Sequence, residues 1–224
     1  RFAAHGQWLP LDPPGGPEAT LGGVLATGAA GPLRLAHGPP RDHVLGLQLV
    51  TGDGRVLDVG GRVVKNVAGY DLAKLAVGSR GTLGFLTRAT VRLRPRPAAD
   101  ATLVAPAPDA HTAAAFAAAV RESRTEPAAL ELLSPPLAAR LAGADGWAVA
   151  ARIQGAAEAV VEAEARLRAA DPHARWERLG DGAAAEFWAA LRAAEGEAAL
   201  AARLAAPPAA LDGTLAAALR LVRR

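Results

Sequence analysis

Apolar and polar positions along the chain set out two kinds of pattern. In the first ninety-odd residues they are short runs punctuated by glycine. VLGLQLVT (44–51) reads as a buried strand, and GDG (52–54) as a tight turn, because Asp-Gly tolerates positive φ. RVLDV (55–59) then returns antiparallel. DLAKLAV (71–77) reads as a short helix, with Asp71 as N-cap or first-turn acid and Gly78 as its stop. TLGFLTRATVRLRPR (82–96) reads as one strand, and two-residue alternation puts Arg92, Arg94 and Arg96 on a single exposed face.

Beyond residue 97 the pattern alternates between strand and helix. Strands are expected at 102–106, 129–134, 147–155 and 174–179. Helices are expected at 111–123, near 135–141, at 158–170 and at 183–194. Asp181 is placed to cap the last of these, with Phe187, Trp188 and Leu191 on one face. AALAARL (198–204) is ambiguous between strand and helix, and a further helix is expected at 209–222. The fold class expected is α+β, with helices covering one face of an antiparallel sheet in the second part.

Composition sharpens the division. Seventeen of the 24 glycines precede residue 98, whereas alanine crowds the second part and reads as a compositional bias. RPRPAAD (94–100) marks the switch, so domains are expected at 1–97 and 98–224. Residues 1–97 carry 12 basic and 6 acidic side chains; residues 98–224 carry 13 and 16. A basic first half suits a polyanionic ligand such as a phosphate ester or a dinucleotide, or a solvated mixed surface. The nine aromatics do not interleave with the arginines, which argues against nucleic acid. Zero cysteine excludes disulfides, thiolate metal sites and Cys nucleophiles, and fits a cytoplasmic setting. The five histidines form no HxxxH or HxH pair, so no metal is expected. No GxSxG elbow supports acyl transfer. No charge-free apolar run reaches about 18 residues, so no transmembrane helix is expected. RFAAHGQWLP lacks the order of a secretory signal. The chain lacks Met, including at position 1, which implies processing or a longer product.

Three segments can carry chemistry. In ATLGGVLATGAAG (19–31), Gly22 and Gly23 remove side chains where a backbone must come close to something, and the backbone N–H groups that follow can face an anion. It is not the dinucleotide fingerprint, since no GxGxxG follows a buried strand. In SRGTLGFLT (79–87), Gly78, Gly81 and Gly84 lead into a strand whose backbone can pair with a flat heteroaromatic edge. KNVAGYDLAK (65–74) holds both lysines, the one asparagine and the one tyrosine of the chain. Each has a bland reading as well: tight packing around glycine, a plain loop before a strand, or Asn66 bonding its own backbone.

Taken in order, GQWLPLDPP, EATLGGVLATGAAGPLRLAHGPPRDHVLGLQLVTGDG and GGRVVKNVAGYDLAKLAVGSRGTLGFLTRATVRLRPRP resemble the second half of the flavin domain of the vanillyl-alcohol-oxidase (PCMH-type) FAD oxidoreductases. The resemblance implies the second subdomain of an FAD-binding domain over 1–97 and an α+β cap domain over 98–224, with FAD as cofactor. Pro13 and Pro14 would enter the cofactor site. Thr20, Gly22, Gly23, Ala26 and Thr27 would lie along the pyrophosphate and ribityl chain, flanked by Gly31 and Gly38. Gly81, Gly84 and Phe85 would form the strand entry, and Asn66 and Tyr70 would touch the flavin or brace its loop. The implied activity is that of a flavin subunit in a 2-hydroxyacid (glycolate-type) oxidoreductase, passing hydride from substrate C2 to flavin N5. The implied partners are the other glycolate oxidase subunits, a second flavin subunit and an iron–sulfur subunit, which could hold it peripherally at the inner membrane. There are departures. The family's earlier subdomain with its Gly-rich phosphate loop has no counterpart here, Arg1 starts where the second subdomain would begin, and the C-terminus stops inside the cap. Arg80 replaces a frequent Glu, and the metal-binding His and Glu of related subunits are missing. A non-catalytic scaffold with an incomplete flavin site is therefore the alternative.

Overall fold

The computed structural model describes residues 2–15, 18–61, 71–194, 207 and 210–222. The chain divides into two compact units, Arg1–Arg96 and Pro97–Arg224.

In the first unit, a 3-10 turn (Phe2–His5) leads to β1 (Gln7–Trp8). Three short helices follow, α1 (Leu21–Thr27), α2 (Arg34–His37) and α3 (Pro40–His43). Then come β2 (Val44–Val50), β3 (Val56–Gly60), α4 (Leu72–Ala76), β4 (Phe85–Val91) and β5 (Arg94–Pro95). The sheet order β3-β2-β4 puts the most apolar strand in the centre, antiparallel to both neighbours. Leu47 stands opposite Val59 and Ala89. On this face Leu47 and Val44 pack against Leu25 of α1 and Ala73 and Ala76 of α4. The expected turn closes through Gly54 at φ 81, with the Thr51 N–H donating to the Arg55 carbonyl at 2.9 Å. Asp71 caps α4 by accepting from the Lys74 N–H at 3.1 Å.

The expected single strand over 82–96 is broken. β4 ends at Val91, and β5 pairs instead with β1. At the break the Arg92 N–H donates to the His43 carbonyl at 2.8 Å, and its guanidinium reaches the Asp42 carbonyl at 3.1 Å. Arg92 and Arg94 are therefore not on an open strand face: both are half-buried, with the Nε atoms enclosed. They lie close enough to His43 for their charges to act on it. The imidazole of His43 is 0% exposed, and neither ring nitrogen has a hydrogen-bond partner. Burial holds its pKa below the ordinary value of 6.5. The charges of Arg94, Arg92 and His37 push the same way, against a weaker pull from the Gly38 carbonyl, which lies outside hydrogen-bond geometry.

The second unit has β6 (Ala99–Ala107), α5 (Ala110–Glu122), β7 (Ala129–Leu133), α6 (Pro135–Ala142) and β8 (Trp147–Gly155). It continues with α7 (Ala157–Ala170), β9 (Glu177–Arg178), α8 (Asp181–Ala194) and α9 (Leu211–Val222). The antiparallel sheet runs β7-β8-β6-β9. The α+β class is as expected, but helices cover both faces rather than one. Leu103 and Ala105 of β6, with Val149, Ala151 and Ile153 of β8, share a core with Phe116 of α5 and Leu167 of α7. The alternate positions Val104, Ala148 and Ala150 share another with Ala138 of α6 and Phe187 and Trp188 of α8. The reason is in the strands: beside the apolar odd positions, β6 and β8 also carry Val104, Ala148 and Ala150 at even ones, so part of the second face must be covered too. One polar group is taken in and satisfied. Trp188 Nε1 donates to the buried Thr102 hydroxyl at 2.8 Å. α8 begins at Asp181 itself, two residues before the expected start, and AALAARL (198–204) lies outside the described residues. No helix among the described residues is long and apolar enough to cross a membrane.

Two outcomes are expected. Thr102→Val strands the indole N–H and should cost about 1–3 kcal/mol in urea unfolding; a change below about 0.3 kcal/mol would show that the hydroxyl anchors nothing. His43 titrates at lower pH folded than unfolded, so the unfolded chain takes the proton first as pH falls. Stability of the first unit should therefore decline as pH drops below 6.5, by at most roughly 1.4 kcal/mol per pH unit. His43→Gln should flatten that slope between about pH 6.5 and 5, and an unchanged slope would remove His43 as its source.

Candidate functional site

Backbone hydrogen bonds join the end of α1 to the loop before β4. The Gly78 N–H donates to the Leu25 carbonyl at 2.9 Å, and the Arg80 N–H to the Ala26 carbonyl at 2.7 Å. Glycine makes this crossing possible. Gly28 ends α1 in the left-handed conformation, φ 67, and a Cβ there would stand 3.3 Å from the Gly78 Cα. Arg80 itself sits at φ 55, a conformation that costs a non-glycine residue about 1–2 kcal/mol. At Gly84 a Cβ would meet the Val50 carbonyl oxygen at 2.7 Å.

The joint sets α1 beside β4, and an open groove of about 560 Å³ lies along them. Thr20, Leu21, Gly22, Gly23, Leu25 and Ala26 line it from the helix, and Gly81, Gly84 and residues 85–89 from the strand and its approach. Thr20 caps α1, its hydroxyl accepting from the Gly23 N–H at 3.0 Å. Two large apolar side chains of the groove lining are exposed, Phe85 at 74% and Leu21 at 40%. Gly22 is informative in a different way. Its φ is not one that demands glycine, and an added Cβ would meet nothing within 4 Å. Neither the backbone nor its neighbours among the described residues explains the missing side chain; a ligand against that face would.

Of the site residues expected from the sequence, Thr20, Gly22, Gly23, Ala26, Gly81, Gly84 and Phe85 come together in this groove. Thr27 does not line it; its hydroxyl donates back to the Gly23 carbonyl at 2.8 Å. Gly31 and Gly38 are spent on packing: a Cβ on Gly31 would overlap the Asp12 carbonyl oxygen at 1.9 Å, and one on Gly38 would approach the Asp42 carboxylate at 2.7 Å. Pro13 and Pro14 are half-buried in the loop after Asp12, whose carboxylate accepts from the Leu33 N–H at 3.1 Å. Asn66 and Tyr70 lie outside the described residues, as does Lys65. Sequence reasoning missed Leu21, Leu25, Leu86, Thr87, Arg88 and Ala89. The basic excess of residues 1–97 was the one signal pointing toward Arg88. Among the described residues no cluster of three or more His, Asp or Glu side chains could hold a metal ion.

Comparison with known proteins bears on this site. Residues 1–60 match the family model described as an FAD binding domain. The glycolate oxidase subunit GlcE of Escherichia coli K12 is 54% identical over 99 residues, 44% of this chain and 28% of that protein. The glycolate oxidase subunit GlcD of Bacillus subtilis 168 is 39% identical over 133 residues, 59% of this chain and 28% of its own length. A D-lactate dehydrogenase of Archaeoglobus fulgidus is 48% identical over 92 residues, 41% of this chain and 20% of its own. The chain thus spans less than a third of the curated relatives it matches. Among solved structures, alkyldihydroxyacetonephosphate synthase superposes with a TM-score of 0.70 at 20% identity, over 87% of this chain and 40% of that one, which shows a shared fold. The family read from the motifs is the one these matches return, and its cofactor is FAD.

The two kinds of glycine should separate by stability. Gly84→Ala forces a clash and should lose about 1–3 kcal/mol in chemical unfolding, whereas Gly22→Ala should stay within about 0.5 kcal/mol or gain. Equal losses would mean that Gly22 is also a packing glycine.

Proposed function

We propose that the groove along α1 and β4 holds FAD, and that the chain is part of an FAD-linked oxidoreductase acting on small 2-hydroxy acids of the glycolate or D-lactate kind. The observation that carries this reading is Gly22, a helical glycine in the groove lining where a Cβ would meet nothing within 4 Å. The matches to glycolate oxidase subunits and a D-lactate dehydrogenase support that substrate class. FAD, when bound, supplies the two-electron acceptor for oxidation of the substrate carbinol.

The chain's own residues then have definite tasks. Thr20 fixes the first turn of α1, so that Gly22 and Gly23 present bare backbone to the ligand. Leu21 and Phe85 offer apolar surface against which a flat ring can lie and shed water. Gly81 and Gly84 leave bare backbone at two positions of the approach to β4. Electrons would leave through partner subunits, a second flavin subunit and an iron–sulfur subunit, in a complex that is cytoplasmic or peripheral to the inner membrane.

A second reading is a scaffold subunit whose flavin site is completed elsewhere or not at all. It is favoured by the openness of the groove, which the described residues wall along α1 and β4 alone. Incubation with FAD followed by gel filtration separates the two: a retained flavin spectrum supports the cofactor site, and a colourless protein that assembles with partner subunits supports the scaffold. Gly22→Val should weaken FAD binding about tenfold or more with unfolding little changed. Unaltered affinity in a folded variant would place the flavin elsewhere.

A further inference from the structure

The groove is neutral along its whole described lining except at Arg88. This side chain projects from β4, where Arg88 stands opposite Gln48 of β2. Its neighbours on the ladder are engaged elsewhere. The Gln48 amide donates to the Asp58 carboxylate at 3.1 Å, and the Thr87 hydroxyl donates to Gln48 Oε1 at 3.0 Å. Several other arginines have a carboxylate at hand: Arg55 has Asp53, Arg152 has Asp100, and Arg168 and Arg178 share Glu164. The Arg88 side chain has neither a hydrogen bond nor an ion pair among the described residues. An arginine alone on an exposed strand is ordinarily a solvated charge. Here it is set into a concave wall that carries Leu21, Leu25, Leu86 and Phe85 and no acid. Apolar walls lower the local dielectric and focus the field of a lone cation on whatever enters. A guanidinium also matches a pair of phosphoryl oxygens better than any other side chain does.

We propose that Arg88 binds a phosphoryl group of the ligand in this groove. On the flavin reading given above, upon which this assignment rests, that group belongs to the pyrophosphate of the dinucleotide. A carboxylate on a hydroxy acid offers the same chemistry, and the arms of the test tell the two apart.

The full chain and its Arg88→Gln and Arg88→Lys variants are titrated with FAD and with riboflavin, which shares the ring but has no phosphate. Flavin fluorescence reports binding, and sodium glycolate is added as competitor. The wild type should prefer FAD. Arg88→Gln should weaken FAD about tenfold, keep riboflavin within about twofold and make FAD binding less sensitive to salt; Arg88→Lys should recover part of the loss. Retention of the full FAD preference by Arg88→Gln overturns the assignment. So does a variant whose flavin discrimination is intact but which no longer responds to glycolate, since the anion at Arg88 would then be the carboxylate. Binding of neither flavin overturns the flavin reading and this assignment with it.

Discussion

Two backbone hydrogen bonds, Gly78 to Leu25 and Arg80 to Ala26, hold the candidate site together. They fasten the end of α1 to the loop that feeds β4. Without them the glycines of residues 20–23 and those of residues 81–84 would be separate features about sixty positions apart. A main-chain joint of this kind is short-range and intolerant. It requires that two backbones meet at Gly28 and Gly78 with no side chain between them. It also holds Arg80 in a left-handed conformation that it would not choose alone. The fold accepts that strain at one residue and in return sets helix and strand along one groove.

Much of the local structure could be read from residue order, because local rules decide it. The Asp-Gly turn, the Asp71 cap and the Phe187–Trp188 stripe follow from φ preferences, capping and helical period, whereas the helix expected to run to Gly78 ends at Ala76 with Val77 as its C-cap. The strand over 82–96 could not be read correctly. Alternation continues through Arg92, Arg94 and Arg96, but the tertiary pull of His43 and of β1 turns the chain away after Val91. Nor could the groove lining be read off β4. A register shift beside Gln48 leaves Thr87 without an opposite partner, so odd and even positions no longer map onto two faces. That shift depends on the neighbouring strand and leaves no trace in the sequence of β4 itself.

Glycine illustrates how one residue type carries different information. Gly31 and Gly38 stood beside Gly22 as candidates because the family resemblance set all three along the cofactor. In three dimensions the first two are explained by Asp12 and Asp42, and only Gly22 has an empty surrounding. The useful distinction is what a Cβ would touch, which a sequence cannot supply. Charge behaves likewise: composition shows a basic first unit, but whether an arginine is enclosed, paired or standing alone in a concavity depends on its neighbours.

Alanine in the second unit looked like a bias of composition, and its placement gives it a different meaning. Ala105, Ala148, Ala150 and Ala151, in the two central strands, are wholly enclosed, as are Ala113 on α5 and Ala138 on α6. With side chains this short the layers above and below can settle close to the sheet, so the unit is a thin laminate. A laminate has little slack. An extra methyl group on one of these alanines must displace the helices packed over that face, so even a change as mild as alanine to valine works against the packing. The residues that seem least distinctive in this chain thus fix its thickness.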